Sequence, residues 1–324
     1  MMDTTHQFDL SVVIVNYRTP SFVTECLATL LPELAHIDSI VVIVDNNSLD
    51  GSADVIAQWL MRHDINNIVK LLRSSVNSGF AGGNNQGIRI FPARSYLLLN
   101  SDTLVRPGAI NELLNTANRF PEAGLFSPRL EWPNGQGQES CFRLHTPFSE
   151  FMSAAKTRVF DRFLQKYWIT MPVQEGIAFP EWTSFACVLV RDSVIKEVGL
   201  LDEGYFMYFE DVEYCHRVRK AGWKIVHNPV ARVVHLRGGS SPVKERTRQK
   251  RRLPKYFYES RSRFFFQLYG RSGLTAANLM WWLGRAVSKT RQILGRSDKA
   301  AIERQWLDIW TNWLRPMKAF TAPD

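Results

Sequence analysis

The run LSVVIVN (residues 10–16) returns in the same design as SIVVIVDNNS (39–48) about thirty residues later. The segment between them carries Pro20 near its start and Cys26, Leu27, Leu30, Leu31 and Leu34 at helical spacing. Short β-branched runs closed by polar residues are strands buried on both faces, and an apolar period near 3.6 marks a helix with one buried face. Strand, helix and strand in this order make one βαβ unit. The alternation continues through a helical 52–62, a strand over 68–73, a Gly/Asn-rich turn into a helix at about 82–91, and a strand over 95–99. Such a succession predicts an α/β fold with a mostly parallel central sheet covered on both faces. Ligands of such sheets collect at the carboxyl ends of the strands.

Three of these strands end alike, in VNY (15–17), VDNNS (44–48) and LNSDT (99–103), so that Asn16, Asp45, Asn100 and Asp102 line one expected crevice. A carboxylate such as Asp102 beside other oxygen donors suits Mg²⁺ or Mn²⁺, which also take diphosphate oxygens. Asn100, Ser101 and Asp102 equally suit a plain turn before a helix at Pro107, because Asn, Ser and Asp are turn formers. Asp45 is able to accept an N–H from a nucleobase or to bond a ribose hydroxyl. It is also a candidate helix cap, although Asp50 and Ser52 stand better placed for that. The glycine-rich SVNSGFAGGNNQGI (75–88), which holds Asn77, Gly79 and Asn84, is only loosely like a phosphate cradle. It lacks the GxGxxG and GxxxxGK[ST] spacings, so neither a dinucleotide fingerprint nor a P-loop follows.

Glu210 and Asp211 open EDVEYCHRVRKAG, a helix that stops at Gly222. Acids there fit capping and dipole compensation, worth about 0.3–1 kcal/mol each. The approach through Tyr205, Phe206, Met207, Tyr208 and Phe209 would wall them with aromatic surface instead of water. Desolvation raises a carboxylate's proton affinity and favours a base. His235 ends the strand VARVVH ahead of a glycine pair that lets a phosphate come close, which gives this histidine a ligand role beside the ordinary structural one.

With 324 residues, 45% of them hydrophobic, the chain holds a substantial core in one large domain or one domain plus an appendage. The four cysteines, 26, 141, 187 and 215, form no CxxC pair, which excludes a zinc framework and suits reduced, buried thiols. No run approaches the ~18 apolar residues of a spanning helix, and the first apolar run is too short for a signal peptide. The expectation is a cytoplasmic protein that touches a membrane from one side at most. Residues 124–131 and 182–190 read as strands flanking a long aromatic-rich connection (142–180), and KIVHNP and ARVVH (224–235) as a strand pair. Beyond Gly238 the composition turns basic and aromatic, which sets a boundary near 240. Pro254 at a first-turn position and Gly270 at a cap bracket one helix, and Ile302, Trp306, Ile309, Trp310 and Trp313 fall on a single helical stripe.

Taken in order, VVIVNY, IVVIVDNNSLDGS, NSGFAGGNNQGI, YLLLNSDT, WTSFACVLVR, GLLDEGYFMYFEDVEYCHRVRKAGW and HNPVARVVHLRGGSS resemble inverting glycosyltransferases of family 2, in their rhamnosyltransferase-like branch. The resemblance spans roughly residues 10–241, and the block from Tyr208 to Glu213 is its most specific part. It implies a GT-A fold for residues 1–240 with a helical appendage over 241–324. It further implies a UDP- or dTDP-linked sugar donor, Mg²⁺ or Mn²⁺, and a saccharide or polyprenyl-diphosphate-linked acceptor in cell-surface polysaccharide synthesis. Carried across by position, Asp45 contacts the base or ribose, Asp102 is the metal aspartate of the DxD site, His235 is a further metal ligand, and Asp211 is the catalytic base with Glu210 beside it. Asn16, Asn77, Gly79, Asn84 and Asn100 fall to the donor site. Two positions depart from the family pattern: Asn100 stands where the first DxD aspartate is expected, and Phe185 stands where a small glycine commonly precedes the acceptor-side strand.

The formal charge of +9 is concentrated: ten Lys/Arg lie between Arg237 and Arg263, against Glu245 and Glu259 only. This stretch contains no nucleic-acid recognition motif. Anionic lipid attracts Lys/Arg at about 1 kcal/mol each, so a helix lying on the cytoplasmic face of the inner membrane is expected, or else one that packs its Trp stripe on the catalytic domain. A nucleotidyltransferase acting on sugar phosphates would want a Gly-rich loop with a Lys near the first strand, and VNYRTPS has none. A non-catalytic binder of anionic polymers explains the charge alone.

Overall fold

The computed structural model describes residues 6–65, 67–155, 167–237, 242–294, 301–320 and 322. The chain divides into two compact units. The first comprises Met1–Phe142, Pro172–Glu203 and Asp211–Ser240, and the second Arg143–Met171, Gly204–Glu210 and Ser241–Asp324. The boundary expected near 240 and part of the aromatic connection, 156–166, lie outside the described residues.

In the first unit the strands are β1 (Phe8–Asn16), β2 (Ser39–Asp45), β3 (Val69–Arg73), β4 (Ala93–Asn100), β5 (Thr103–Val105), β6 (Ala123–Glu131), β7 (Cys141–Phe142), β8 (Trp182–Thr183), β9 (Cys187–Arg191) and β10 (Lys224–His235). All but β7 and β8, which pair with each other, form one sheet in the order β3-β2-β1-β4-β9-β6-β10-β5. It is mostly parallel as expected, with β9 antiparallel to both β4 and β6, and β5 antiparallel to β10. The helices α1 (Pro20–Leu30), α2 (Ser52–Arg62), α3 (Gly79–Ile90) and α4 (Ala109–Arg119) connect the first strands, followed by the helices Asp192–Val198 and Glu210–Lys220.

Alternation along the strands feeds two cores. Leu10, Val12, Ile14, Val41, Ile43, Leu97 and Leu99 pack on one face with Val23, Leu27, Leu30, Ile56, Leu60 and Leu113 from α1, α2 and α4. Val13, Tyr96, Leu98, Val188 and Val190 pack on the other with Ile88, Val194, Tyr214 and Val218. A period of two on strands clothed by helices on both sides is the reason the runs read as continuously apolar. All four cysteines are free and buried.

The structure corrects several boundaries. Residues 224–235 form one strand, not two. Its register against β6 slips between Asn228 and Arg232, where Pro229 has no N–H to give and the Asn228 side chain accepts the Val230 N–H at 3.0 Å. Residues 182–190 are split into β8 and β9. The glycine-rich segment enters its helix at Gly79, earlier than expected, and its glycines serve packing. Gly79, Gly83 and Gly87 recur every fourth residue, and an added Cβ would meet Val15 Cγ1 at 2.9 Å from Gly83 and Val13 Cγ1 at 2.4 Å from Gly87. The backbone of α3 therefore lies directly on β1.

The second unit contains α5 (Pro147–Ala155) and the helices Val243–Arg248, Lys255–Ile293 and Gln305–Asp308. The long helix breaks at Gly270, whose φ of 67° is left-handed, as its expected capping role requires. Pro254 precedes the first helical residue instead of occupying the first turn. Its backbone rides close on α5, since a Cβ on Gly284 would sit 2.4 Å from the Phe151 carbonyl oxygen. Tyr256, Tyr258, Phe264 and Phe265 are buried, so the aromatic residues of the basic stretch build core and do not face lipid. Arg261, 3% exposed, donates to Glu150 at 2.8 Å and to Asn278 at 2.7 Å. The expected Trp stripe is not one helix face: only Gln305–Asp308 is helical, and Arg304 and Asn312 turn the backbone with φ of 54° and 56°.

Gly87→Val is expected to lower stability by about 1–3 kcal/mol, because α3 has no room to move off β1. The measure is a lower urea midpoint at unchanged m-value. Gly176→Ala, which meets nothing within 4 Å, serves as the neutral control.

Candidate active site

Parallel register levels the strand ends: Asn16 faces Asp45, Val15 faces Asn100, and Asp45 faces Arg73. The polar residues that close each apolar run thereby share one edge. Asn16, fully buried, donates through Nδ2 to Asp45 Oδ1 at 2.7 Å and to Ser48 Oγ at 3.2 Å. Its Oδ1 accepts from the Thr19 amide and hydroxyl, both at 3.2 Å. Ser48 donates its hydroxyl to Asp45 Oδ1 at 2.6 Å and its amide to Oδ2 at 3.2 Å. Asp45, 5% exposed, thus has a fixed orientation at the mouth of β2.

Asn46, next in line, donates to Asn77 Oδ1 at 3.0 Å and to the Gly79 carbonyl at 2.9 Å, and accepts from the Ser78 amide at 3.1 Å. It pins the start of α3 beside Asp45. Among the described residues the buried Asn77 Nδ2 has no partner, a donor left for a ligand. Asn84 donates to the Phe80 carbonyl at 2.9 Å, one turn back in its own helix, so that amide hydrogen serves the helix.

At the other half of the edge, β4 ends and the chain turns in two residues into β5, which pairs with the end of β10 so that Thr103 faces His235. This pairing brings Asp102 Oδ1 to 3.4 Å from His235 Nε2, with the side chains 11% and 9% exposed. The Leu236 amide donates to the Asp102 carbonyl at 2.9 Å and fixes the pair from the backbone. The Ser101 and Thr19 hydroxyls, 3.3 Å apart, link this half to the Asn16 cluster. Asn100 is tied through its backbone, to Ala186 at 2.9 Å and to the Thr103 hydroxyl at 2.7 Å.

Gln138 is a further organiser: its amide donates to the His235 carbonyl at 2.7 Å and the Glu131 carbonyl at 3.0 Å, while its oxygen accepts from Arg237 Nε. Arg237 also donates to the Glu139 carbonyl at 3.1 Å and lies over the Trp132 ring at 5.5 Å. Burial pushes the Arg237 pKa down, while the nearby negative charges of Glu139 and Asp102 push it up. A guanidinium is thus held within the electrostatic reach of Asp102.

Asp211 is the second residue of the helix Glu210–Lys220, which follows directly on Tyr208 and Phe209, whose φ of 72° and 69° are left-handed. Such conformations cost bulky residues about 1–3 kcal/mol each. The helix leans on Phe185, whose ring meets Tyr214 edge-on at 6.0 Å, and the neighbouring Ala186 carbonyl holds the Asn100 amide. Asp211 Oδ1 accepts the Val212 amide at 2.8 Å, yet burial of the carboxyl outweighs this and raises its pKa to about 7. Asp211 as a residue is half-buried; Glu210, which is buried, belongs to the second compact unit.

A hard carboxylate and an imidazole at contact distance suit Mg²⁺ or Mn²⁺, and the buried His235 Nδ1, without a partner among the described residues, shows that this ring is not consumed by structure. Among the described residues no group of three or more His, Cys, Asp or Glu is assembled for a metal. Two such ligands would leave the remaining coordination positions to water and to the oxygens of a bound molecule.

A family model described as "Glycosyltransferase like family 2" matches residues 6–253, and the chain belongs to that family. It is a glycosyltransferase, of the rhamnosyltransferase-like kind. An N-acetylglucosaminyl-diphospho-decaprenol L-rhamnosyltransferase of Mycobacterium tuberculosis is 28% identical over 318 residues, covering 93% of this chain and 97% of the relative. The low-salt glycan biosynthesis hexosyltransferase Agl10 of Haloferax volcanii is 29% identical over 232 residues, 70% of this chain and 67% of the relative. Among solved structures, the mannosyltransferase PcManGT of Pyrobaculum calidifontis, in complex with GDP-Man and Mn²⁺, superposes with a TM-score of 0.53 at 14% identity over 96% of this chain and 86% of that one. Residues 1–349 of S. aureus TarS give 0.52 at 15% identity, with 95% and 81% covered. The fold is GT-A, as the sequence resemblance implied.

Thr19, Asn46, Ser48, Gln138 and Arg237 were not singled out from sequence. Ser48 lies within the strand-end motif VDNNS and carried a usable signal; Gln138, in a loop, carried none.

Because folding raises the Asp211 pKa from 3.8 to about 7, the folded state binds that proton more tightly than the unfolded state. The stability tied to it is full below the ordinary value and is lost as pH rises through the folded value. Asp211→Asn is therefore expected to melt at higher temperature than the native chain above about pH 7, with no advantage below about pH 4. Scanning calorimetry across pH is the check.

Proposed function

We propose that the enzyme is an inverting, divalent-metal-dependent transferase. In this reading it moves L-rhamnose or a similar sugar from a UDP- or dTDP-linked donor to a hydroxyl of a polyprenyl-diphosphate-linked saccharide, in cell-surface polysaccharide synthesis at the cytoplasmic face of the membrane. The observation that carries this reading is the Asp102–His235 pair, linked through Ser101 and Thr19 to the strand ends that fix Asp45, and Asp211, a carboxyl with a pKa near neutrality, supports a base. The activity named for the mycobacterial relative supports the sugar and the lipid-linked acceptor, and the Mn²⁺ bound to the mannosyltransferase supports a metal.

Asp45 accepts hydrogen bonds from the nucleoside, with Asn77 Nδ2 as a donor beside it. Asp102 and His235 hold Mg²⁺ or Mn²⁺, which when bound supplies positive charge to the diphosphate of the leaving nucleotide. Arg237 adds a permanent positive charge on the same side, held by Gln138. Asp211 takes the proton of the acceptor hydroxyl as that oxygen attacks the anomeric carbon from the face opposite the diphosphate, which inverts the configuration. A base with a pKa near ambient pH is ionised for a useful fraction of the time and still binds the transferred proton firmly. Asn100, in place of the first DxD aspartate, leaves one carboxylate fewer to hold the metal.

A panel of sugar nucleotides assayed with Mg²⁺, Mn²⁺ or EDTA tests the reaction. Nucleoside diphosphate release that EDTA stops and Mn²⁺ restores is expected, whereas pyrophosphate release would refute it. Asp211→Asn is expected to lower transfer by about 10²–10⁴-fold with donor affinity by calorimetry nearly intact, and native kcat/KM to rise through about pH 7. Equal loss of binding and turnover would reduce Asp211 to a helix cap.

A further inference from the structure

The second half of the long helix Lys255–Ile293 is apolar on two opposite sides. Leu274, Ala277, Asn278, Trp281, Gly284 and Ser288 are buried, and Gly284 sets the close approach to α5. Half a turn round the helix, Leu279, Trp282, Leu283 and Ile293 are 52%, 42%, 54% and 83% exposed, and Leu294, just past the helix end, is 77% exposed. Trp306 and Leu307, both half exposed, extend this surface, with the Trp306 ring edge-on to Trp282 at 6.0 Å. At 3.6 residues per turn the exposed Lys289 stands on one flank of the stripe, whereas Arg291 turns back to donate to the Ala155 carbonyl at 3.4 Å. An aligned set of exposed apolar side chains bordered by a lysine, on a helix otherwise packed, is a candidate binding surface.

We propose that this face lies in an anionic lipid surface, with Leu279, Trp282, Leu283, Ile293 and Leu294 immersed at the headgroup boundary and Lys289 among the headgroups. Charge selects the occupant. Residues 241–324 carry 18 Lys/Arg against 6 Asp/Glu, while residues 1–240 carry 22 against 25. A second copy seated isologously on this face would set like charges against each other, whereas anionic headgroups neutralise them. Among the described residues no helix is long and apolar enough to cross a membrane, so the contact is interfacial. The inference rests on the reading that the acceptor is carried by lipid, and it moves the lipid contact away from the basic stretch 237–263, whose aromatic residues are core.

The test is co-flotation of the full chain, without donor or acceptor, with vesicles of phosphatidylcholine alone or mixed equally with phosphatidylglycerol. Light scattering is read in parallel. The native chain is expected to float with the mixed vesicles and to detach as salt rises. Leu279→Glu with Leu283→Glu, both at exposed positions, is expected to keep its melting temperature and to lose at least tenfold in vesicle partitioning; Lys289→Glu is expected to lose several-fold. Equal flotation of native and double-variant chains would overturn the proposal. So would a native dimer that the double variant dissociates, which would make the face a contact between copies. Because no sugar is transferred in the assay, its outcome is independent of whether the donor and acceptor are correctly assigned.

Discussion

The parallel register of β2, β1 and β4 is the constraint on which the site depends. With Asn16 level with Asp45 and Val15 level with Asn100, the three apolar runs stop at one line, and their polar endings meet. A one-residue slip in any pair would turn inward-facing valines and leucines to the wrong core and separate Asn16 from Asp45. The hydrophobic pattern that stabilises the sheet is thus the same pattern that aligns the proposed donor site, and the glycine face of α3 on β1 holds that alignment from above.

The proposed catalytic end is assembled at a cost to stability. A half-buried, desolvated carboxyl in the first turn of a helix, two left-handed aromatic residues ahead of it, and two nearly buried side chains at the end of β4 and β10 each oppose folding locally. The surrounding structure over-determines them. Arg217 donates to the Val198 and Leu200 carbonyls and pairs with Glu213, anchoring the helix of Asp211 from its outer side. Glu131, fully buried, accepts from Arg106 and Arg232 at 2.9 Å each and clamps the strands that carry His235.

Much of this was legible residue by residue. The strands β1 to β4, the free buried cysteines, and the placing of Asn16, Asp45 and Asp102 at strand ends follow from period and punctuation, which act over a few residues. Where expectation and structure parted, the deciding contact lay far away in the chain or in a single backbone angle. The glycines of 75–88 read as a loosely phosphate-like loop because glycine permits both a loop and a close helix–strand approach, and only Val13 and Val15 on β1 decide between them. The Trp stripe over 302–313 had helical spacing, yet Arg304 and Asn312 adopt left-handed backbone and scatter it.

By itself the sequence determined the class of sheet, the side chains available at each strand end and the order of motifs that marks a family 2 glycosyltransferase, because these depend on local propensity and on chemistry carried within single segments. Tertiary structure alone decided that His235 meets Asp102 across more than a hundred residues, that Gln138 joins His235 to Arg237, and that Asp211 is dry enough to hold its proton near neutral pH. Distance and desolvation are properties of the packed chain, and no stretch of sequence contains them.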